Sequence, residues 1–184
     1  YELYKMSSDK EGDIVECGVF KGSSFVRFAM FRNLFENNSS KRLIGFDSFG
    51  KFPGTEFEDD KKLREHIINE AGENSIAADQ LIEVLKNKSC DQNIELIEGD
   101  ITVTLPEYVR SNPGLKISML NLDTDIYEPS VTILDELYPK IVSGGILILD
   151  DYNVFPGETK AVNDYFKGID IEIKKFPFSA TPCY

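Results

Sequence analysis

Two kinds of apolar pattern alternate along the chain. Short β-branched runs, apolar almost residue by residue, recur at Asp13–Val19, Arg42–Phe46, Asn93–Ile97, Lys116–Leu122 and Ile146–Leu149. Such runs read as strands covered on both faces. Between them, apolar residues at helical spacing predict helices over Ser23–Phe35, Phe57–Glu70, Ala77–Lys88, Thr104–Ser111, Glu128–Tyr138 and Glu158–Phe166. Ser23 or Ser24 is expected to cap the first of these, and the Asn and Ser residues at 37–40 to end it. Pro129 suits a first helical turn, where its missing N–H does no harm. Tyr1–Gly12 is polar and irregular, the tail of an N-terminal helix. Ser143-Gly144-Gly145 reads as a turn into the fifth strand. Ile171–Phe178 and Pro182–Tyr184 read as a closing strand pair joined by a Ser-Ala-Thr turn.

Alternating strands and helices are the signature of βαβ units. The expectation is an α/β fold: a three-layer αβα sandwich on a Rossmann-like sheet, mostly parallel, with an antiparallel strand at the C-terminal end. At 184 residues the chain suits one domain with a real core. It has no internal repeat and no low-complexity linker.

The last two parallel strands end abruptly in acids. Leu120–Ser130 carries Asp123 and Asp125, and Ile146–Asn153 carries Asp150 and Asp151. Parallel neighbours end on one edge of the sheet, where ligands bind beyond the carboxyl ends of the strands. Like charges gathered there are costly unless something positive compensates them. The pattern asks for a cation.

Composition narrows the partners. A formal net charge of -12 argues against nucleic acid or an anionic membrane surface, both of which are read with Lys and Arg. No run approaches the roughly 18 apolar residues of a membrane span. Cys17, Cys90 and Cys183 lack CxxC spacing and read as buried thiols of a reducing, cytoplasmic setting. The chain starts at Tyr1 and stops within an expected strand, so both ends are expected to be incomplete.

Three upstream strand ends add chemistry. Glu16-Cys17-Gly18-Val19-Phe20-Lys21-Gly22 runs a strand into a glycine-bearing turn and a helix. It lacks a glycine of the G-x-G-x-x-G dinucleotide pattern, and Glu16 would repel a pyrophosphate while suiting a cationic ligand. A purely structural turn accounts for it equally well. Asp47, ending the second strand, is placed to accept ribose hydroxyls, or else caps a turn. Asp100, after Glu98-Gly99, is placed to accept from an adenine amino group, with a turn aspartate as the alternative. Together they describe a site for an adenosine without phosphate.

The combination resembles the class I S-adenosylmethionine-dependent methyltransferases, and more narrowly the TylF/MycF (macrocin O-methyltransferase) family. The residues carrying the resemblance are Glu16 to Gly22, Asp47-Ser48-Phe49 with Gly50 and Pro53, and Gly99-Asp100 with Thr104-Leu105-Pro106. They continue with Asp123-Thr124-Asp125-Ile126-Tyr127-Glu128, Leu137-Tyr138-Pro139-Lys140 with Gly144-Gly145, and Asp150-Asp151-Tyr152. The resemblance implies Mg²⁺-dependent methylation of a hydroxyl on a small molecule, a sugar or natural-product glycoside, by one domain over residues 1–184. It implies cofactor contacts from Glu16, Gly18, Phe20, Gly22, Asp47, Ser48, Asp100, Ile101 and Asp123. It implies metal ligation by Asp125, Asp150 and Asp151, with Asp123 as general base. The family's usual Asp-Gly-Asp is Asp123-Thr124-Asp125 here, and residues 51–78, where such folds meet the acceptor, do not match residue by residue. Self-association is left open.

Two rivals stand beside this reading. One is another metal enzyme on the same scaffold, similar to cephalosporin hydroxylases; the other is a cofactor-binding module without catalysis. A single histidine, His66, offers no two-His-one-carboxylate set, which disfavours non-haem iron. His66 itself reads as a surface residue, and Lys140 and Lys160 as solvated charges.

Overall fold

The computed structural model describes residues 1–36 and 41–184. The Asn and Ser residues expected to end the first long helix lie outside the described residues. Strands β1 (Asp13–Cys17), β2 (Leu43–Asp47), β3 (Ile94–Glu98), β4 (Ile117–Leu122) and β5 (Ile141–Leu149) form one sheet in the order β3-β2-β1-β4-β5. Every pairing within it is parallel. Helices α1 (Glu2–Ser7), α2 (Ser23–Phe35), α4 (Ala78–Asn87), α5 (Ile101–Ser111), α6 (Tyr127–Leu137) and α7 (Pro156–Tyr165) cover its two faces, while α3 (Glu58–Ala71) contributes to neither apolar layer. The N-terminal segment is therefore helical, as its sequence suggested.

The sheet separates two apolar layers. Val15, Cys17, Ile44, Phe46, Leu120 and Leu122 pack on one side with α5, α6 and α7. Ile14, Leu43, Met119 and Ile148 pack on the other with Phe25 and Ala29 of α2 and Leu81 and Leu85 of α4. Strands β1, β2 and β4 are buried almost throughout, which is why their sequences are apolar at consecutive positions. Cys17, Cys90 and Cys183 are buried free thiols. Among the described residues no helix is long and apolar enough to cross a membrane.

Several boundaries differ from the sequence expectation, each for a local reason. Helix α2 is capped by Gly22 in the left-handed region, with no side-chain cap, because the Ser24 hydroxyl is drawn to Glu16 instead. Helix α5 starts at Ile101 because Asp100 caps it by accepting the Thr102 amide at 2.9 Å, an interaction worth about 1 kcal/mol. Ser143-Gly144-Gly145 is not a turn but lies inside β5. Ile117 faces Ile141 while Met119 faces Ile146, so the glycines bulge out of the ladder between them, with Gly144 at φ 77.

At the C-terminus the expected strands are reduced to isolated antiparallel bridges. Leu149 and Cys183 exchange backbone hydrogen bonds of 2.9 Å each way, and Lys174 and Tyr184 exchange bonds of 2.8 and 2.9 Å. Pro177 and Pro182 have no N–H to extend a ladder.

Register is what builds the site. Cys17 pairs with both Phe46 and Leu122, and Leu122 with Leu149, so β1, β2, β4 and β5 stop level with one another. The next residues, Gly18, Asp47, Asp123 and Asp150, line one edge. That edge includes the β1–β4 boundary, where strand order reverses and such sheets open a crevice. Gly18 sits at φ 90, and a Cβ there would lie 1.6 Å from the Asp123 carbonyl oxygen. Replacing Gly18 by Ala is therefore expected to lower the urea midpoint sharply, by several kcal/mol of stability. An unchanged midpoint would contradict this crossing.

Candidate active site at the carboxyl edge of the sheet

A cavity of about 590 Å³ opens above the level strand ends. Of the residues singled out in sequence, Gly18, Phe20, Asp47, Ser48, Asp100, Ile101, Asp123, Asp125, Asp150 and Asp151 all line it. Glu16 and Gly22 do not. A Cβ on Gly22 would meet Leu81 of α4 at 2.8 Å, so Gly22 serves helix packing. Glu16 is wholly buried below the cavity floor, where its Oε1 accepts from Asn121 Nδ2 at 3.1 Å and from the Ser24 hydroxyl. Its Oε2 is buried without a partner. Burial pushes the Glu16 carboxyl up to about 8, against the lowering effect of those two donors.

Asp47 is only 7% exposed and its carboxylate is already engaged. Oδ2 accepts the amides of Val19 at 2.8 Å and Phe20 at 2.9 Å, and Oδ1 accepts the Phe49 amide at 2.7 Å. The Ser48 hydroxyl adds a weaker contact at 3.3 Å. In this geometry Asp47 clamps the β1–α2 turn to the β2–α3 loop, which holds Phe20 in its left-handed conformation at φ 47. Asp100 Oδ1 is likewise committed to Thr102, through its amide and its hydroxyl.

The acids at the ends of β4 and β5 are half-buried and converge. Asp123, Asp150 and Asp151 each offer a carboxylate oxygen such that these atoms all lie within 4.8 Å of one another. Asp125 stands beside them rather than within that triad. It occupies φ 63, with the Ile126 amide closing on the Thr124 carbonyl at 2.6 Å in a tight γ-turn. That turn brings the Asp125 carboxyl against Asp151, close enough to share a hydrogen bond.

Burial and mutual repulsion hold these carboxyls above the usual range. For Asp123 burial leads, followed by Asp150 and Glu16; for Asp125 burial leads, followed by Asp151. Asp150 is pushed up to about 6, by burial and then by Asp151. Among the described residues no Lys or Arg forms a salt bridge with Glu16, Asp123, Asp125, Asp150 or Asp151. His66 is exposed on α3 and does not line the cavity.

Sequence reasoning missed several supporting residues. Asn121 is a polar residue inside an apolar strand, a pattern that signals a buried partner. Glu158 is fully buried at the start of α7, accepts the Asp151 amide at 3.1 Å through Oε1, and leaves Oε2 unpartnered. Asp60 and Glu128 tie α3 to the acid-bearing loops; Glu128 stands in the quoted run from Asp123 but without a role there, and nothing in the spacing marks Asp60.

The raised carboxyls have a consequence for stability. A folded acid with a raised value binds its proton more tightly than the unfolded chain does. For Glu16 the stability supplied by that proton is full below about 4.5, falls as pH rises, and is lost above about 8. Without added cofactor or cation, the melting temperature of the wild type should fall between about pH 5 and pH 8. The Glu16→Gln variant should fall less steeply over the same range. Equal slopes in the two would contradict a buried, proton-holding Glu16.

Comparison with known proteins places this geometry. Solved structures with the same fold include a calicheamicin methyltransferase, with TM-score 0.81 and 26% identity, covering 99% of this chain and 74% of that one. The O-methyltransferase NovP superposes with TM-score 0.81 at 24% identity, covering 95% of this chain and 74% of that one. The fold is thus the α/β methyltransferase fold with a five-stranded parallel sheet. Among curated relatives, the demethyldecarbamoylnovobiocin O-methyltransferase of Streptomyces niveus is 29% identical, over 87% of this chain and 60% of its own length. The mycinamicin III 3''-O-methyltransferase of Micromonospora griseorubida is 27% identical, over 84% of this chain and 60% of its own length. The chain spans about 60% of the length of these curated relatives. The model of the macrocin-O-methyltransferase (TylF) family matches residues 5–177, and the chain belongs to that family.

Proposed function

We propose that the chain forms the cofactor- and cation-binding part of an S-adenosylmethionine-dependent, Mg²⁺-dependent O-methyltransferase, with residues 1–184 acting as one domain. The acceptor is a hydroxyl of a small molecule, a sugar or a natural-product glycoside, by analogy with the relatives' named substrates. The observation that carries this reading is the meeting, in one cavity, of a side-chain-free turn at Gly18 with the Asp123, Asp150 and Asp151 triad.

The residues present fit both groups. Three carboxylates converging without a cationic partner are the hard oxygen donors that Mg²⁺ takes. Asp125, Asp150 and Asp151 are assigned as ligands, Asp125 lying against Asp151. Bound there, Mg²⁺ supplies Lewis-acid activation of an acceptor hydroxyl. For the cofactor, Gly18 admits close backbone approach, and Phe20, Ser48, Asp100 and Ile101 border the space an adenosine would take. Asp47 acts through the turn it clamps, as a positioning residue. The orphaned Oε2 of Glu16 puts an acceptor beneath the region where a sulfonium amino acid would lie.

Asp123 lies between these two regions. Burial and its acidic neighbours make the Asp123 carboxylate, once ionised, a stronger base than an ordinary aspartate, which suits it to take a proton from the acceptor hydroxyl. Phe52, Pro53, Ile67 and Ala71 give the cavity an apolar wall. A cytoplasmic setting suits the buried free thiols, and the net charge of -12 disfavours a nucleic-acid acceptor.

The test is release of S-adenosylhomocysteine from S-adenosylmethionine against a panel of glycosides and catechols. Turnover should need Mg²⁺ and stop with EDTA. Asp123→Asn should cost about 10²- to 10⁴-fold in kcat while cofactor binding survives. Full turnover in EDTA would overturn the metal role, and unchanged kcat in the variant would overturn the base assignment.

A further inference from the structure

Asp60 belongs to none of the motifs discussed above, yet it is 0% exposed on an otherwise solvent-facing helix. Its carboxylate reaches out of α3 and enters the gap between the first turns of α6 and α7. Oδ2 accepts the Tyr127 amide at 3.0 Å and Oδ1 accepts the Gly157 amide at 2.7 Å. Both are first-turn amides that no helical carbonyl can take, so a carboxylate there also meets the positive ends of two helices. The approach is close enough to dictate sequence. A Cβ on Gly157 would fall 2.0 Å from Asp60 Oδ2 and 2.5 Å from the Tyr127 nitrogen.

The latch is reciprocal. Glu128, in the first turn of α6, reaches back to the start of α3, where Oε1 accepts the amides of Glu56 at 2.8 Å and Phe57 at 3.1 Å. Its Oε2 accepts the Thr55 hydroxyl at 2.9 Å. The Phe57 and Tyr127 rings lie against each other at 5.2 Å between centroids. Each helix thus lends a carboxylate to the other's N-terminus.

What the latch holds is the acid cluster. Tyr127 follows Asp125 across the γ-turn. Gly157 precedes Glu158, whose carboxyl holds the Asp151 amide and whose own amide donates to the Asp125 carbonyl at 3.2 Å. The loop after β4 and the loop after β5 are therefore linked twice, once through Glu158 and once through Asp60. We propose that Asp60 is a positioning residue for the acid cluster. By taking both amides with one carboxylate it fixes the spacing of the loops bearing Asp123–Asp125 and Asp150–Asp151. Docking of α3 over the cavity and capture of a divalent cation then favour one another. This rests on the reading of those acids as a cation site.

Coupling of this kind is reciprocal, so either side can be measured. In Asp60→Asn an amide N–H₂ faces one of the two backbone donors. Titration calorimetry with Mg²⁺ should then show affinity lowered about tenfold, the lower end of what outer-shell partners contribute. S-adenosylmethionine affinity should stay within about twofold of the wild type, since Asp60 is outside the cofactor contacts. Should the variant not fold, hydrogen exchange on the wild type decides alone: Mg²⁺ should slow the Tyr127 and Gly157 amides and those of α3. Wild type that binds Mg²⁺ with exchange in α3 unmoved, or Asp60→Asn that binds it equally well, overturns the coupling and leaves the cation site standing. Wild type that takes up no Mg²⁺ overturns the cation site and the coupling with it.

Discussion

Carboxyl groups of like charge, brought to one edge by strands that stop in register, set the terms for everything around them. Asp123 and Asp150 are neighbours because Leu122 pairs with Leu149, and no side-chain choice nearby can move them apart. Their repulsion and burial raise their affinity for a proton, and among the described residues no Lys or Arg forms a salt bridge with them. Asn121 and Ser24 hold Glu16, the Glu158 carboxyl holds the Asp151 loop, and the Asp125 carboxyl lies against Asp151. Such an arrangement costs stability in the empty protein and becomes favourable once a positive group enters. Local strain follows the same logic: Phe20 and Asp125, both in left-handed conformations, border the cavity.

The opposite edge of the sheet is built the other way. There the cations are held by carboxylates and backbone carbonyls, with Arg32 Nε left as a buried donor without a partner. Arg42 pairs with Asp13 at 2.7 Å and Glu95 at 3.0 Å, Arg32 donates to the carbonyls of Lys41, Gln92 and Asn93, and Lys41 donates to Ser7 and Ser8. Breaking a partner of the buried Arg32 or Lys41 leaves a charge uncompensated and costs several kcal/mol, while the half-exposed Arg42 pairs are worth less. Stability is thus concentrated at the strand entries and chemical potential at the strand exits. The same sheet carries both because parallel strands present all their exits together.

The order of elements and the acids at the strand exits were legible in the sequence because both rest on local pattern. Apolar runs without alternation mark strands covered on both faces, and an acid just past such a run can only emerge at the edge. Long-range pairing was not legible. Asp47 lines the cavity where a ribose acceptor is expected, but the amides of Val19 and Phe20 that it also takes lie on another loop, which no local pattern announces. Asp60 looks like an ordinary first-turn acid of an exposed helix, and only the approach of Tyr127 and Gly157 buries it. The bulge in β5 was hidden for a related reason: Ser143-Gly144-Gly145 has the composition of a turn, and only pairing with β4 on both sides keeps it in the sheet.

The central claim, that the acids beyond β4 and β5 exist to hold a divalent cation beside the cofactor, is open to direct sight. Crystals grown with S-adenosylhomocysteine and soaked in Mn²⁺ would give an anomalous peak at the cation. A single strong peak at the carboxylates of Asp150 and Asp151, with Asp125 and Asp123 on either side and the sulfur of the cofactor product nearby, is the predicted result. A cofactor bound in the cavity with no peak there, or with a Lys or Arg side chain drawn into that position, would contradict it.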